Sequence, residues 1–143
     1  MVSLVKPLYT TRATATGGRS GRSTTSDGLL DVPLAAPPEM GGPGGATNPE
    51  QLFATGYAAC FQSALGVVGR RQKVDTSASL VSVDVTIGTV EGGGFGLAAA
   101  ISATIPGVSD ETARELVEAA HQVCPYSAAT RGNIDVTLTG TGG

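Results

Sequence analysis

The sequence predicts an α+β fold, and three observations carry that expectation. Short Thr- and Val-rich runs with strand-like alternation recur along the chain, as in "LYTTRATAT" (8–16) and "ASLVSVDVTIG" (78–88). An apolar run from Leu52 to Val68 has almost no polar face, which suits a helix buried on most sides. "SDETARELVEAAHQV" (109–123) places apolar residues at 113, 116, 117 and 120, the spacing of an amphipathic helix.

Each element follows from local chemistry. The first strand region ends at "GGRSG", a Gly-rich turn carrying Arg19, and "RSTTSDGLLDVPLA" (22–35) contains Asp27-Gly28, a hairpin signal between short runs. "APPEMGGPGGATNP" (36–49) is too rich in Pro and Gly for regular structure, and a connection of that length is either functional or mobile. Asn48-Pro49 starts the long helix, with Asn as cap, Pro at the first helical position and Gln51 at the third position of a capping box. That helix ends near "GRRQK", where cations complement its dipole. A hairpin follows: 78–88, a turn at "TVEGGG", then "FGLAAAISATI" (95–105), stopped by Pro106 and Gly107. Ser109 or Asp110 caps the amphipathic helix, Pro125 breaks it and begins a short one, and "NIDVTLTG" (133–140) is the last strand. The whole reads as an N-terminal sheet unit, a long buried central helix and a β-hairpin–helix–strand unit, without internal repeats.

Composition narrows the function. A chain of 143 residues with 41% hydrophobic content is expected to form a single domain, 1–143, with a substantial core. The formal charge is −3 with no concentrated basic stripe, which disfavours nucleic acid. Three Tyr, three Phe and no Trp make stacking platforms a poor expectation. "MVSLVKPLYT" has no apolar run of signal-peptide length and no later stretch reads as a membrane span, so a cytoplasmic protein without membrane partners is expected. Two cysteines in a reducing compartment do not suggest a permanent disulfide. One His with two Cys falls short of a structural zinc site, so no metal is expected.

The two thiols are the candidate chemistry, and local physics separates them. Cys124 precedes Pro125 and is placed to cap the short helix, where exposed amides favour a thiolate. Cys60 lies more than two turns inside its helix, where that effect has faded and burial alone raises a thiol pKa. On these grounds Cys124 is the more acidic thiol, and two inert core cysteines remain an open alternative.

Three motifs together change the balance. "TATGGRSG" near the start, "TNPEQLFATGYAACF" in the middle and "HQVCPYSAATRGNIDV" near the end resemble, in order and spacing, the organic hydroperoxide resistance proteins of the osmotically inducible protein C (OsmC) superfamily. The resemblance covers essentially the whole chain. It departs at Ser20, where Asp is common, at Gln62-Ser63, and at Ala128, where Asn is frequent; none of these is a position the family uses for chemistry.

The resemblance implies an OsmC-like fold, an intertwined homodimer with active sites at its interface, and a thiol peroxidase with no cofactor. It makes Cys60 the peroxidatic cysteine and Cys124 the resolving one, with Arg19 and Glu50 forming a polar network at the reactive thiol. It also implies an organic hydroperoxide substrate, a Cys60–Cys124 disulfide intermediate, and a dithiol reductant of the kind carried by lipoylated proteins. Arg19 can supply the cation that mid-helix Cys60 lacks. Glu50 lies ten helical residues from Cys60, about 15 Å of rise, so either the helix begins later or bends, or Arg19 and Glu50 reach the Cys60 of another subunit, the option that the implied intertwined dimer suits. Phe53, Tyr57 and Phe61 are candidates for lining an apolar substrate pocket, and ordinary core packing is the competing role.

Two other functional classes remain to be separated. His121, three residues before Cys124, could share a helix face with it in a Cys–His hydrolase or transferase. Alternatively, the chain could be a dimeric binding protein for a small apolar ligand, with inert thiols.

Overall fold

The computed structural model describes residues 1–143, which divide into two compact units, Met1–Leu52 and Phe53–Gly143. The protein is α+β, with two small sheets and three helices.

In the first unit, β1 (Ala13–Thr16), β2 (Arg22–Thr25) and β3 (Asp31–Pro33) form an antiparallel sheet in that order. The β1–β2 register, Ala13 opposite Thr25 and Thr16 opposite Arg22, makes "GGRSG" the connecting turn. Gly17 and Gly18 take positive φ there, at 72° and 55°, and residues 18–20 form one tight helical turn. A Cβ on Gly21 would collide with the Thr16 carbonyl, so the turn closes only with glycine at that position. The Asp27-Gly28 hairpin forms as expected: Gly28 is left-handed, and the Asp27 carboxylate accepts from the Leu29 amide and the Thr25 hydroxyl. The 36–49 stretch is irregular except for a single helical turn at Pro38–Met40 and a one-residue bridge between Leu34 and Thr47.

Helix α1 (Pro49–Arg71) starts as its sequence dictates. The Asn48 side chain accepts from the Gln51 amide at 2.9 Å. The reciprocal half of the capping box does not form, because Gln51 Oε1 accepts instead from the Thr47 hydroxyl at 2.7 Å. At the other end Lys73 sits at φ 60°, the Val74 amide donates to the Gly69 carbonyl and the Lys73 amide to the Arg70 carbonyl. This is the Schellman arrangement, formed here by Lys rather than Gly.

In the second unit, β4 (Leu80–Thr89) and β5 (Phe95–Thr104) are the antiparallel hairpin, with Leu80 opposite Thr104 and Thr89 opposite Phe95. β6 (Asp135–Thr141) lies parallel to β5, leaving β5 central. A parallel pair needs a crossover, and α2 (Asp110–Val123) with α3 (Pro125–Thr130) provides it. The Ser109 hydroxyl caps α2 by accepting from the Thr112 amide, and Cys124 caps α3. The core is built from Tyr57, Phe61, Leu65 and Val68 of α1, Ala99, Ile101 and Ala103 of β5, and Ala113, Leu116, Val117 and Ala120 of α2. The four α2 residues are those whose spacing marked the apolar face. Burial of each large side chain contributes roughly 1.5–3 kcal/mol.

Two expectations about α1 need correction. It is not buried on most sides: only Tyr57, Phe61, Ala64, Leu65, Val68 and Gly69 of its 23 residues are buried in this chain. The sequence signal was uniform apolarity, which does not say how much of the helix surface the rest of the chain covers. Nor is it true that no stretch resembles a membrane span. By length and composition α1 qualifies, with a mean hydropathy of 1.3 over its most apolar window, as core helices of globular proteins also do.

Candidate functional site

In the first unit the GGRSG turn projects Arg19 onto Glu50 in the opening turn of α1. Arg19 Nη1 donates to Glu50 Oε2 at 2.7 Å and Nη2 to Oε1 at 2.6 Å. This is the two-pronged pairing that a planar guanidinium makes with a carboxylate. Hydrogen bonding from Arg19 holds the Glu50 carboxyl below the usual carboxylate range, against the opposing effect of burial. The same bond raises the Arg19 pKa further. Two of the five guanidinium N–H groups are engaged, so three remain for another acceptor. The Arg19 side chain stays 37% exposed while Glu50 is largely covered, so the carboxylate anchors a cation that still faces outward.

In the second unit α1 and the α2–α3 junction bring the two thiols together. Cys124 Sγ lies 3.5 Å from Cys60 Sγ and its S–H donates to it, although the residues are 64 apart in sequence. Both are free thiols in this structure. A disulfide requires about 2.05 Å, so bond formation needs a closure of roughly 1.5 Å. Their accessibility differs sharply: Cys124 is fully enclosed, and Cys60 is half-buried.

The structure reassigns the helix-end effect that the sequence attached to Cys124. Cys124 does occupy the capping position of α3, but its side chain makes no capping bond. The backbone of Tyr126, in the first turn of α3, instead acts on the Cys60 thiol and lowers its pKa. Burial pushes the Cys60 thiol up, the Tyr126 backbone pulls it down, and the adjacent Cys124 pushes it up again, with a net rise. The lowering from the Tyr126 backbone does not offset burial, and no cation is among the influences on Cys60.

The pocket candidates separate. Phe53 lines an apolar cavity of about 260 Å³ with Tyr126, Ala129 and Thr130. Tyr57 and Phe61 do not line it; each has no exposed surface and belongs to the core, because their α1 positions face inward. Tyr126 was not singled out from the sequence. Its ring stacks at a tilt on Phe53 (centroids 6.2 Å apart) and on Tyr57 (5.7 Å), and it covers Gly56 so closely that a Cβ there would sit 3.1 Å from its hydroxyl. The available signal was an aromatic next to the "CP" step and a glycine in mid-helix, where glycine is otherwise unfavourable.

His121 does not pair with Cys124. It is buried near the C-terminal end of α2, its Nδ1 has no hydrogen-bond partner, and neither thiol accepts from or donates to it. Burial lowers its pKa and Arg131 lowers it further, while Glu118 acts in the opposite sense. A histidine depressed in the folded state is protonated first in the unfolded chain. Its contribution to stability is thus complete above about pH 6.5 and falls as the pH drops toward the folded-state pKa. Thermal melting is expected to show a decline in midpoint from pH 6.5 to about 5 that His121→Gln flattens; equal slopes in both proteins would refute the assignment.

Comparison with known proteins identifies the family and the fold. Residues 42–139 match the family model described as OsmC-like protein. The chain is 52% identical over 141 residues to the organic hydroperoxide resistance protein of Xanthomonas axonopodis pv. citri, covering 97% of this chain and 99% of that one. It is 42% identical to the organic hydroperoxide resistance protein OhrB of Bacillus subtilis, over 92% of this chain and 96% of the relative. Among solved structures, an organic hydroperoxide resistance protein from Legionella pneumophila superposes with a TM-score of 0.90 at 51% identity, covering 95% of this chain and 99% of that one. A protein from Vibrio cholerae, described as a putative organic hydroperoxide resistance protein with captopril bound in one of its active sites, superposes at 0.89 with 52% identity, covering 95% of this chain and 94% of its own.

Proposed function

Because the chain belongs to the OsmC-like family, among its organic hydroperoxide resistance proteins, we propose that it is a cysteine-based peroxidase that reduces organic hydroperoxides to alcohols. The observation that carries this reading is the thiol pair: one half-buried sulfur within 3.5 Å of a second that is fully enclosed. Cys60 is the accessible sulfur and Cys124 the enclosed one, which supports Cys60 as the attacking thiol and Cys124 as the resolving one.

The Cys60 thiolate attacks the distal oxygen of ROOH. The O–O bond breaks, an S–O bond forms, and the departing alkoxide takes a proton to leave as ROH. Cys124 sulfur then attacks the Cys60 sulfenic acid, forming the S–S bond and releasing the hydroxyl with the thiol proton as water. A dithiol, most simply the lipoyl group of a lipoylated protein, reduces the disulfide by exchange. The apolar wall of Phe53 and Tyr126 favours an alkyl or fatty-acyl group over hydrogen peroxide.

The site needs a cation at Cys60, and Arg19 is the candidate. Its pairing with Glu50 fixes the guanidinium while leaving donors free to stabilise the thiolate and the leaving oxygen. Helix α1 runs unbroken from Pro49 to Arg71, so Glu50 and Cys60 of one chain stand about 15 Å apart along its axis. The Arg19–Glu50 pair therefore serves the Cys60 of a second copy in a homodimer. The open side of α1, apolar but uncovered in one chain, supports such a partner. Free thiols that must be re-reduced every cycle suit the reducing cytoplasm.

Mass spectrometry after one equivalent of tert-butyl hydroperoxide tests this reading. The expected product is one intramolecular Cys60–Cys124 disulfide per chain; two thiols that remain titratable would refute it.

A further inference from the structure

A set of buried hydroxyls lies beside the thiol pair, and the chemistry above gives it no part. Tyr57, fully enclosed in α1, has its hydroxyl 2.9 Å from Ser127 Oγ and 3.0 Å from Thr130 Oγ1. Ser127 is fully buried and Thr130 nearly so, and the Thr130 hydroxyl also donates to the Ser127 carbonyl. An apolar side chain would fill this space without the desolvation of three hydroxyls, so their presence calls for a directional role.

The direction is clear from where the partners sit. Ser127 and Thr130 lie on α3, a six-residue helix whose capping residue is Cys124 and whose first turn carries the Tyr126 amide. Tyr57 is on α1, three residues before Cys60. A helix this short has little intrinsic stability, so its register depends on tertiary bonds. The Tyr57 hydroxyl bonds to two side chains of α3 and so ties that helix to the one bearing Cys60. We infer that Tyr57 is a positioning residue: through Ser127 and Thr130 it sets the register of α3 against α1, and so holds both Cys124 Sγ and the Tyr126 backbone against the Cys60 sulfur.

This rests on the thiol-peroxidase reading and adds to it the device that makes resolution fast. The step it governs is attack of Cys124 on the Cys60 sulfenic acid, where S–S forms and water leaves. A positioned nucleophile gains its rate from alignment, and a misplacement of ~1 Å is worth on the order of 100-fold. Loss of one tether of three hydroxyls therefore predicts a resolution rate slowed by about tenfold or more. Tyr57→Phe keeps the ring and removes only the hydroxyl.

The experiment treats the full-length protein with one equivalent of tert-butyl hydroperoxide, quenches at intervals with a dimedone-type reagent, and measures trapped sulfenic acid and disulfide by mass spectrometry. Wild type should pass to disulfide with little trapped sulfenic acid. Tyr57→Phe should accumulate sulfenic acid on Cys60, and the pH midpoint for Cys60 alkylation should rise as the Tyr126 backbone drifts away. Leu116→Val, a core change on α2 about two turns before Cys124 that touches none of the three hydroxyls' bonds, should lower thermal stability and leave the partition as in wild type. If Tyr57→Phe does not fold, Ser127→Ala and Thr130→Val carry the same readout. Resolution at the wild-type rate in the hydroxyl variants, or equal slowing in Leu116→Val, overturns the inference while the peroxidase reading stands. Absence of any Cys60–Cys124 disulfide in wild type overturns both.

Discussion

Replacing Cys60 by Ser is expected to abolish consumption of cumene or tert-butyl hydroperoxide, with a loss of at least about 10³-fold. A serine hydroxyl is a far weaker nucleophile toward an O–O bond, and no other thiol can take its place, because Cys124 has no exposed surface. Cys124→Ser should behave differently. It should consume the first equivalent of peroxide and then stall, since the sulfenic acid on Cys60 has lost its resolving partner at 3.5 Å. It should then carry a trappable sulfenic acid or crosslink between chains. Stopped-flow consumption assays with sulfenic-acid trapping separate the two variants. Full activity in Cys60→Ser, or a single-turnover burst in Cys60→Ser instead of Cys124→Ser, would reverse the assigned roles.

Mixed dimers of the proposed homodimer give the second large effect. Arg19→Ala should reduce the rate by about 10²-fold or more, the loss seen when one donor to a developing oxyanion is removed. The informative measurement comes from co-expressing Arg19→Ala chains and Cys60→Ser chains with different tags and isolating the heterodimer. If Arg19 acts on the partner's thiol, the intact Cys60 of the first chain receives the intact Arg19 of the second. One working site per dimer is then restored, and activity approaches half that of wild type per dimer. If Arg19 acts within its own chain, the heterodimer has no complete site and stays inactive. Glu50→Gln should weaken the Arg19 anchor and leave Cys60 titratable, with a smaller loss than Arg19→Ala. The Arg19–Glu50 bond, lying partly in solvent, should also weaken as the pH falls through the lowered Glu50 pKa.

How much of this was legible in the chain depends on the range of each interaction. The Asp27-Gly28 hairpin, the Asn48 cap and the inward face of α2 rest on residues within four positions of each other, and all three appear where the pattern put them. The two cysteine motifs and GGRSG identified the residues of the candidate chemistry as well, through a resemblance over the whole chain. Tyr57 and Phe61, by contrast, are apolar residues on an apolar helix, and periodicity could not say that they turn inward while Phe53 opens on a cavity. Tyr126 was passed over because its importance lies in its backbone and in a ring that rests on Gly56, 70 positions earlier. Spacing alone allowed His121 to share a helix face with Cys124 as a runner-up reading; the residue lies buried instead, with its Nδ1 unpartnered.

The sequence by itself determined the element types, the caps and turns, and which residue kinds are available for chemistry: two thiols, one guanidinium and one carboxylate on marked motifs. Only the tertiary structure decided which thiol is open to solvent. Local helix-end physics favoured Cys124, because only short-range amides are visible along a chain. Folding enclosed Cys124 completely, brought the start of α3 to bear on the Cys60 thiol and set the sulfurs 3.5 Å apart. Reactivity of a thiol depends on access and on the donors that surround it in space, and both are properties of packing between segments 64 residues apart.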